Sequence, residues 1–400
     1  MTESLQRYGI GIRTWVLTLA ISALTCASAS AQFLDAFDSP PLNGWTFFSG
    51  DGSATIDFRQ NDSFASIFVD ARRDKRNIWW AVIKHEVSGS LDLGRLSDPK
   101  YELRVSARVR VSHAPRRLNM SFNTQKTVDY HTHLMEFDIP VAHQWQTIRM
   151  TTRGFEAVPG DQVNAQLALM DWGLGEYRVD VDDFRVDVVD VTQAEPDQGE
   201  PLPYRPPVPP VNSFAHIVVV AQDAVVDAEY PDMSFGGWYV ADEEGKTPAL
   251  AVGGTQCVIL RWDLQALAGK KVAQAGLLEL TTHSMQRNDE HVKDFGMLRV
   301  VEILAGDPAW DQKTVTLDRL AQDQPLAEVF NTQMIIDVDV NEQQGGKTLI
   351  TISKPVLQRM IDGRTRGLVL RPLGSLHATF YDSEYADGQS APRLHFNLQE

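Results

Sequence analysis

Cysteine is nearly absent from this chain. The 400 residues hold two, Cys26 and Cys257, and only Cys257 lies beyond the leader-like start described below. An internal disulfide, a zinc ribbon and a CxxC redox pair are therefore excluded. Cys257 belongs to the apolar run Cys257-Val258-Ile259-Leu260 and reads as a small buried hydrophobe. Positive charge is also short: 37 Lys and Arg face 53 Asp and Glu, for a formal net charge of -16. A polyanion needs a basic footprint, so no nucleic acid partner is expected. Beyond residue 31 no apolar run approaches the roughly 18 residues of a membrane span, so no transmembrane segment is expected. A Gly-x-Ser-x-Gly elbow and a Gly-rich phosphate loop are missing too, which argues against serine hydrolases and nucleotide enzymes.

Residues 1–31 read as a Sec-type signal peptide. Arg7 and Arg13 give a positive start, residues 15–24 an apolar run too short to span a bilayer, and Ala29-Ser30-Ala31 the small residues of a cleavage site. Cleavage is expected near Ala31-Gln32, which predicts a secreted or periplasmic protein. The residues before Cys26 (Ala23-Leu24-Thr25) lack a lipoprotein pattern, so release is expected rather than anchoring. Removal takes two arginines and one glutamate and leaves -17. The remaining length suggests two domains, each able to bury a core without staples.

What is present is punctuation. Residues 193–213 are proline-rich, with Pro196, Pro201, Pro203, Pro206, Pro207, Pro209 and Pro210, and read as a semi-rigid polyproline linker. Residues 32–192 precede it and 214–400 follow. In the first part Leu103, Val105, Ala107, Val109 and Val111 alternate with Arg104, Ser106, Arg108, Arg110 and Ser112, a half-buried strand with a basic outer face. Leu118, Met120 and Phe122 alternate with Asn119, Ser121 and Asn123 in the same way. Turn clusters such as Gly50-Asp51-Gly52 and His113-Ala114-Pro115 separate these runs. The second part repeats the pattern, with strands expected over 216–220, 257–262, 277–280, 297–303, 335–340, 349–353, 368–370 and 393–398. Its helix candidates are 264–267 and 355–362, the latter with Pro355 at a first helical position. The expected fold is all-β: two antiparallel β-sandwich (jelly-roll) domains joined by the linker.

Charge is uneven. Residues 33–126 carry 14 Lys and Arg against 11 Asp and Glu, whereas 127–192 carry 4 against 12. Near the end of the first part Val179 and Val181 fall out of step with Phe184, Val186 and Val188, which predicts a β-bulge around Asp182-Asp183. A bulge can turn Asp180, Asp182 and Asp183 toward one point, the oxygen cluster a structural Ca2+ ion takes, while exposed aspartates on an edge strand are the plain alternative.

The densest run of titratable groups is Asp129-Tyr130-His131-Thr132-His133-Leu134-Met135-Glu136-Phe137-Asp138. On a strand Asp129, His131 and His133 share a face that continues through Met135 and Phe137, from a wet rim into a core. Such a rim suits a ligand or a metal, or plain polar packing. The adjacent Trp79 and Trp80 follow a polar run that includes Arg76, and on a strand one of two neighbours faces out. Trp172 sits in Asp171-Trp172-Gly173. Exposed tryptophans flanked by planar amides hold sugar rings, and Arg117, Asn119, Asn123 and Gln125 lie nearby in sequence.

Two resemblances extend this. Ala221-Gln222-Asp223-Ala224-Val225-Val226, Leu260-Arg261-Trp262-Asp263-Leu264, residues 272–280, Ile336-Asp337-Val338, and Phe380-Tyr381-Asp382-Ser383-Glu384 through Ala391-Pro392-Arg393-Leu394 stand in the order found in DNRLRE-type domains. Residues 214–400 thus resemble carbohydrate-binding module family 96, departing from it at 311–316, where a final tryptophan is lost. The resemblance implies a jelly roll that binds acidic polysaccharides such as alginate. Phe37-Asp38, Gly44-Trp45 and residues 177–186 make the first part similar to the carbohydrate-binding jelly rolls of secreted polysaccharide-degrading enzymes. In those modules the first and last strands meet and often share a calcium, which here implicates Asp38 and Asp182.

The function expected is therefore that of a secreted polysaccharide-binding protein, for an acidic or uronate-containing glycan. The alternative is a polysaccharide lyase on the 129–138 strand, with Arg116, Asn119 or Gln125 neutralising the uronate carboxylate, His131 or His133 as base and Tyr130 as acid. A metal hydrolase built on His131-x-His133 would need a third ligand. An extracellular matrix scaffold is the structural alternative.

Overall fold

The computed structural model describes residues 32–39, 42–49, 54–73, 79–171, 175–193, 202–203, 207–242, 245–287, 296–331, 333 and 336–400. Residues 32–400 form one compact unit. No helix among the described residues is long and apolar enough to cross a membrane.

The first part is a two-layer sandwich. Its strands are β1 (Phe33–Asp35), β2 (Trp45–Ser49), β3 (Thr55–Gln60), β4 (Ala65–Asp70), β5 (Trp79–Glu86), β6 (Tyr101–Val111), β7 (Arg116–Thr124), β8 (Leu134–Ile139), β9 (Gln146–Thr152), β10 (Val163–Asp171), β11 (Glu176–Asp190) and β12 (Leu202–Pro203). One sheet runs β3-β4-β11-β6-β9, with β1 paired to β11. The other runs β12-β8-β7-β10-β5-β2. Every pairing in both is antiparallel. The alternation read from the sequence sets the layers: Leu103, Val105, Val109 and Val111 meet Leu118, Met120 and Phe122 in one core. The first and last strands do meet, through Phe33 opposite Val186. The bulge expected near Asp182-Asp183 is present as a register shift between Asp182 and Arg185, with Asp183 at φ 48°.

The second part contains β13 (His216–Val219), β14 (Gln222–Asp227), β15 (Tyr239–Asp242), β16 (Gly245–Gly253), β17 (Gln256–Arg261), β18 (Gly276–Arg287), β19 (Met297–Ile303), α1 (Leu317–Ala321), α2 (Leu326–Val329), β20 (Ile336–Val338), β21 (Lys347–Ile352), α3 (Lys354–Ile361), β22 (Gly367–Leu373), β23 (Leu376–Tyr381) and β24 (Arg393–Phe396). β18 belongs to both layers. Its first half pairs with β21 and β24, and after a register shift at Thr282/Ser284 its second half pairs with β23. That bend folds the strands around a core containing Leu260, Leu278, Leu280, Val300 and Phe380. A smaller core, with Val226, Ile259, Leu320 and Phe330, lies where α1 and α2 cover the outer side of β14 and β17.

Described residues of the proline-rich segment touch both sandwiches. Leu202 and Pro203 pair with Glu136 and Met135 at the β8 edge, and Thr351 donates to the Pro207 carbonyl at 3.2 Å. An edge is where a strand tolerates proline, because the missing N–H faces no ladder. Close approach joins the two sandwiches elsewhere as well: a Cβ on Gly175 would stand 2.8 Å from the Ala327 Cβ of α2.

Candidate functional site

The outward face of the second sheet of the first sandwich is unusually polar. Ladder registers place its residues in rows across four strands. Thr46 stands beside Lys84, Lys84 beside Gln166, and Gln166 beside Ser121. One row over, Glu86, Asn164 and Asn123 are neighbours, and on the other side Phe48, Val82, Ala168, Asn119 and Glu136 follow one another. Strand alternation causes this: Leu118, Met120 and Phe122 take the core, so Asn119, Ser121 and Asn123 take the opposite face.

The floor of this trough is withdrawn from water although it is not apolar. Asn119, Ser121 and Asn123 are buried, and among the described residues the Asn123 Nδ2 has no hydrogen-bond partner. A buried donor left unmade is costly. Ser121 donates to Gln166 Oε1 at 3.4 Å. Lys84 is the cation of the trough. Its Nζ lies 5.7 Å from the centre of the exposed Phe48 ring, and no ion pair among the described residues engages it.

The trough ends against the second sandwich in a buried charge cluster. Arg117 Nη1 lies 3.4 Å from Glu136 Oε2. Arg359 of α3 donates to Asp138 at 2.6 Å and to both oxygens of Glu302, at 2.9 and 2.7 Å. Arg299 pairs bidentately with Asp337 at 2.8 and 2.7 Å. Three guanidiniums thus face four carboxylates. Burial pushes the Glu136 carboxyl up to about 8, with Asp337 and Asp138 adding to the rise against Arg117 and Arg299. Burial also raises Asp138, against the pull of Arg359 and Arg117. Burial works against the Arg359 charge too, but Glu302 and Asp138 outweigh it and hold its pKa above the usual value.

The residues expected from sequence fall into separate places. Asn119 and Asn123 lie in the trough and Arg117 at its end. Gln125 is past β7, donating to Asp161 at 2.8 Å and accepting from the Gln162 N–H at 2.9 Å, so it braces a turn. Trp79 and Trp80 stand in β5, in register with Asp171 and Met170; Arg76 and Trp172 lie outside the described residues.

The 129–138 segment is a strand only from Leu134. Residues 130–133 form a turn instead, because the Asp129 carboxylate accepts from the His131 backbone N–H and its ring nitrogen, both at 2.9 Å. Tyr130 is 57% exposed. His133 hydrogen-bonds Thr152 Oγ1, packs edge-on to Phe155 at 5.0 Å, and has its pKa lowered by burial. Arg116 stacks on Tyr177 at 4.1 Å at the far end of β7, whereas His133 lies opposite Phe122. Six residues of strand, about 20 Å, part Arg116 from the histidines. Arg116 is thus not brought to the histidines.

Arginines stand among the aspartates expected around Ca2+. Asp180 is consumed by Arg110 at 2.7 Å, Arg178 at 3.0 Å and the Ser66 hydroxyl at 2.6 Å. Arg108 lies between Asp182 at 2.9 Å and Asp183 at 3.4 Å and already supplies a cation. Burial, then the charges of Asp183 and Asp38, raise Asp182. Among the described residues no three His, Cys, Asp or Glu side chains are grouped to hold a metal. Chelation with EDTA is accordingly expected to leave the melting temperature unchanged within about 1 °C; a fall of about 2–4 °C or more, the size of a ~1 kcal/mol loss in a domain of 150–250 residues, would support the calcium site.

The basic outer face of β6 is likewise absorbed. The register sets Arg110 opposite Asp180, Arg108 opposite Asp182 and Arg104 opposite Asp187. Sequence patterning missed Trp145, whose ring lies 4.7 Å from Arg110 and 5.0 Å from Arg108 and meets Phe64 edge-on at 5.7 Å. It lies in an apolar-poor stretch before β9, so no periodicity flagged it.

No protein-family model matches the chain, and no curated protein matches it. Among solved structures it is similar to an arabinose-bound α-L-arabinofuranosidase, at 13% identity and TM-score 0.29 over 39% of this chain and 26% of that one. It is similar also to a carbohydrate-binding module of the β-sandwich superfamily, at 14% identity and TM-score 0.27 over 39% and 61%. A tandem CBM22-1–CBM22-2 domain from Paenibacillus barcinonensis Xyn10C aligns over 93% of this chain and 99% of its own, at 11% identity and TM-score 0.25. The chain thus spans about a quarter and three fifths of the first two proteins. At these TM-scores the likenesses carry no weight for function, which rests on the side chains.

Proposed function

We propose that the chain binds a polysaccharide along the trough of the first sandwich, and that the polymer carries carboxylates. The observation that carries this is the band of amide and hydroxyl groups across four strands. Sugar hydroxyls are matched by such planar groups. Lys84 in mid-band supports a uronate-containing glycan, and exposed Phe48 at the edge offers a ring to an apolar sugar face. The leader-type residues 1–31 support an extracytoplasmic setting, where such polymers occur.

Affinity gels containing alginate, polygalacturonate, hyaluronan, xylan or cellulose test it. Uronate polymers should retard the protein, and neutral ones should not. Lys84→Gln should weaken binding about tenfold, the size of one charge-assisted hydrogen bond, and flatten its salt dependence. Asn123→Ala should weaken it several-fold. Absorbance at 235 nm should stay flat. No retardation by any polymer, or equal retardation of the double variant, would leave a matrix scaffold as the better account.

A further inference from the structure

Every row of the trough runs from exposed to buried in the same direction. In the longest, Phe48 is 39% exposed in β2, while Val82 is 4%, Asn119 5% and Glu136 2% exposed. The next row begins at exposed Thr46 and reaches buried Ser121, and the third goes from exposed Glu86 to buried Asn123. On the β2 side the sheet simply ends at an edge strand. The β8 side is blocked. Glu136 and Asp138 lie under the second sandwich, where Arg359 of α3 donates to Asp138 at 2.6 Å and the charges of Arg299 and Asp337 reach Glu136. Leu202 of β12 pairs with Glu136 on the far side of β8. Ser121 is followed there by Leu134, whose side chain offers no hydrogen bond. From Phe48 to Glu136 there are four inter-strand steps, about 19 Å.

We infer that the trough takes the terminus of a polysaccharide chain, not a stretch within it. The inference rests on the glycan-binding reading above and names the part of the polymer that is bound. A groove that grips internal residues must let the chain leave at both ends. Here a chain lying across the strands would run into α3 and β12. A terminal residue can stop against Asn119 and Ser121, whose amide and hydroxyl are withdrawn from bulk water. Polar groups in such a place favour a partner that completes their hydrogen bonds and penalise one that cannot reach them. Gln166, Lys84 and Phe48 then meet the residues that follow, over a length that holds a short oligosaccharide. Reducing and non-reducing ends share this shape, and the two are separable by experiment.

Competition in the affinity gel tests this with the native chain. Whichever of alginate, polygalacturonate and hyaluronan retards the protein would be partially acid-hydrolysed into soluble fractions, all longer than the trough and spanning a twentyfold range of length. Each fraction would be added as competitor at equal mass. Recognition of a terminus makes potency follow the number of chains, so the shortest fraction should compete twentyfold more effectively than the longest. Borohydride converts the reducing residue to an open alditol. Loss of the short-chain advantage on that treatment would assign the reducing end, and its survival the non-reducing end. Lys84→Gln should lower the potency of every fraction and preserve their ratio. Equal potency at equal mass would overturn terminus recognition while leaving polymer binding in place. An end preference that Lys84→Gln leaves at full strength would put it outside the trough and overturn it too. No retardation by any of the three polymers would remove the trough reading and this one together.

Discussion

Arg359→Met is expected to destabilise the protein by about 3–5 kcal/mol, the cost of removing one partner from a buried ion pair. The Arg359 guanidinium bonds both Glu302 oxygens and Asp138, and its side chain is 5% exposed. Glu302 retains the Thr365 hydroxyl at 2.5 Å and the Asn331 amide at 3.1 Å, but neither is a cation. Methionine fills the stem volume, so the loss measures charge rather than packing. Denaturant midpoints for the single variant, for Asp138→Asn and for the double variant would complete a cycle. Asp138→Asn in the Arg359→Met background should recover part of the loss, since one stranded carboxylate is removed. A single-variant loss below about 1 kcal/mol, the range of an exposed pair, would mean that water reaches the cluster.

Glu136→Gln is expected to act in the opposite direction. The folded carboxyl titrates at about 8, above its ordinary value of 4.5. Between those two values the native state holds a proton that the unfolded chain has released, so wild-type stability falls as pH rises through that window and levels off above it. Below about pH 4.5 the group is protonated in both states and costs nothing. Glutamine mimics the protonated form, so it should match wild type at pH 4 and exceed it at pH 7 by on the order of 3 kcal/mol, at 1.36 kcal/mol per pH unit. Asp223, which burial lifts to about 6, titrates in the same window, so the quantity to plot is the difference between variant and wild type. A difference independent of pH would show that Glu136 is charged in the fold.

The layered β architecture was legible because it depends on period-two patterning, which a single strand displays on its own. The 103–111 alternation, the bulge at Asp182 and helix α3 behind Pro355 are all local signals. What failed was local too, but of another kind: an aspartate that hydrogen-bonds two residues ahead turned 130–133 out of the strand. Helices α1 and α2 were invisible because five and four residues are too short for a 3.6-residue period to show. Of the site, Asn119 and Asn123 were readable, since alternation alone assigns them a face. Lys84, Gln166 and Phe48 join them only through register with other strands. The charge cluster was beyond sequence reading altogether, because Arg359 and Asp138 stand 221 positions apart.

That cluster also bears on how such a chain can be recombined. Arg117, Glu136 and Asp138 come from the first sandwich; Arg299, Glu302, Asp337 and Arg359 come from the second. Each sandwich alone would carry half of an electrostatic equation, with arginines and carboxylates laid bare on the face its neighbour now covers. Strings of secreted modules are commonly pictured as beads that can be cut and reordered. In this protein the two beads are keyed to each other, and a chimera that keeps one must inherit the other or rebuild its charges.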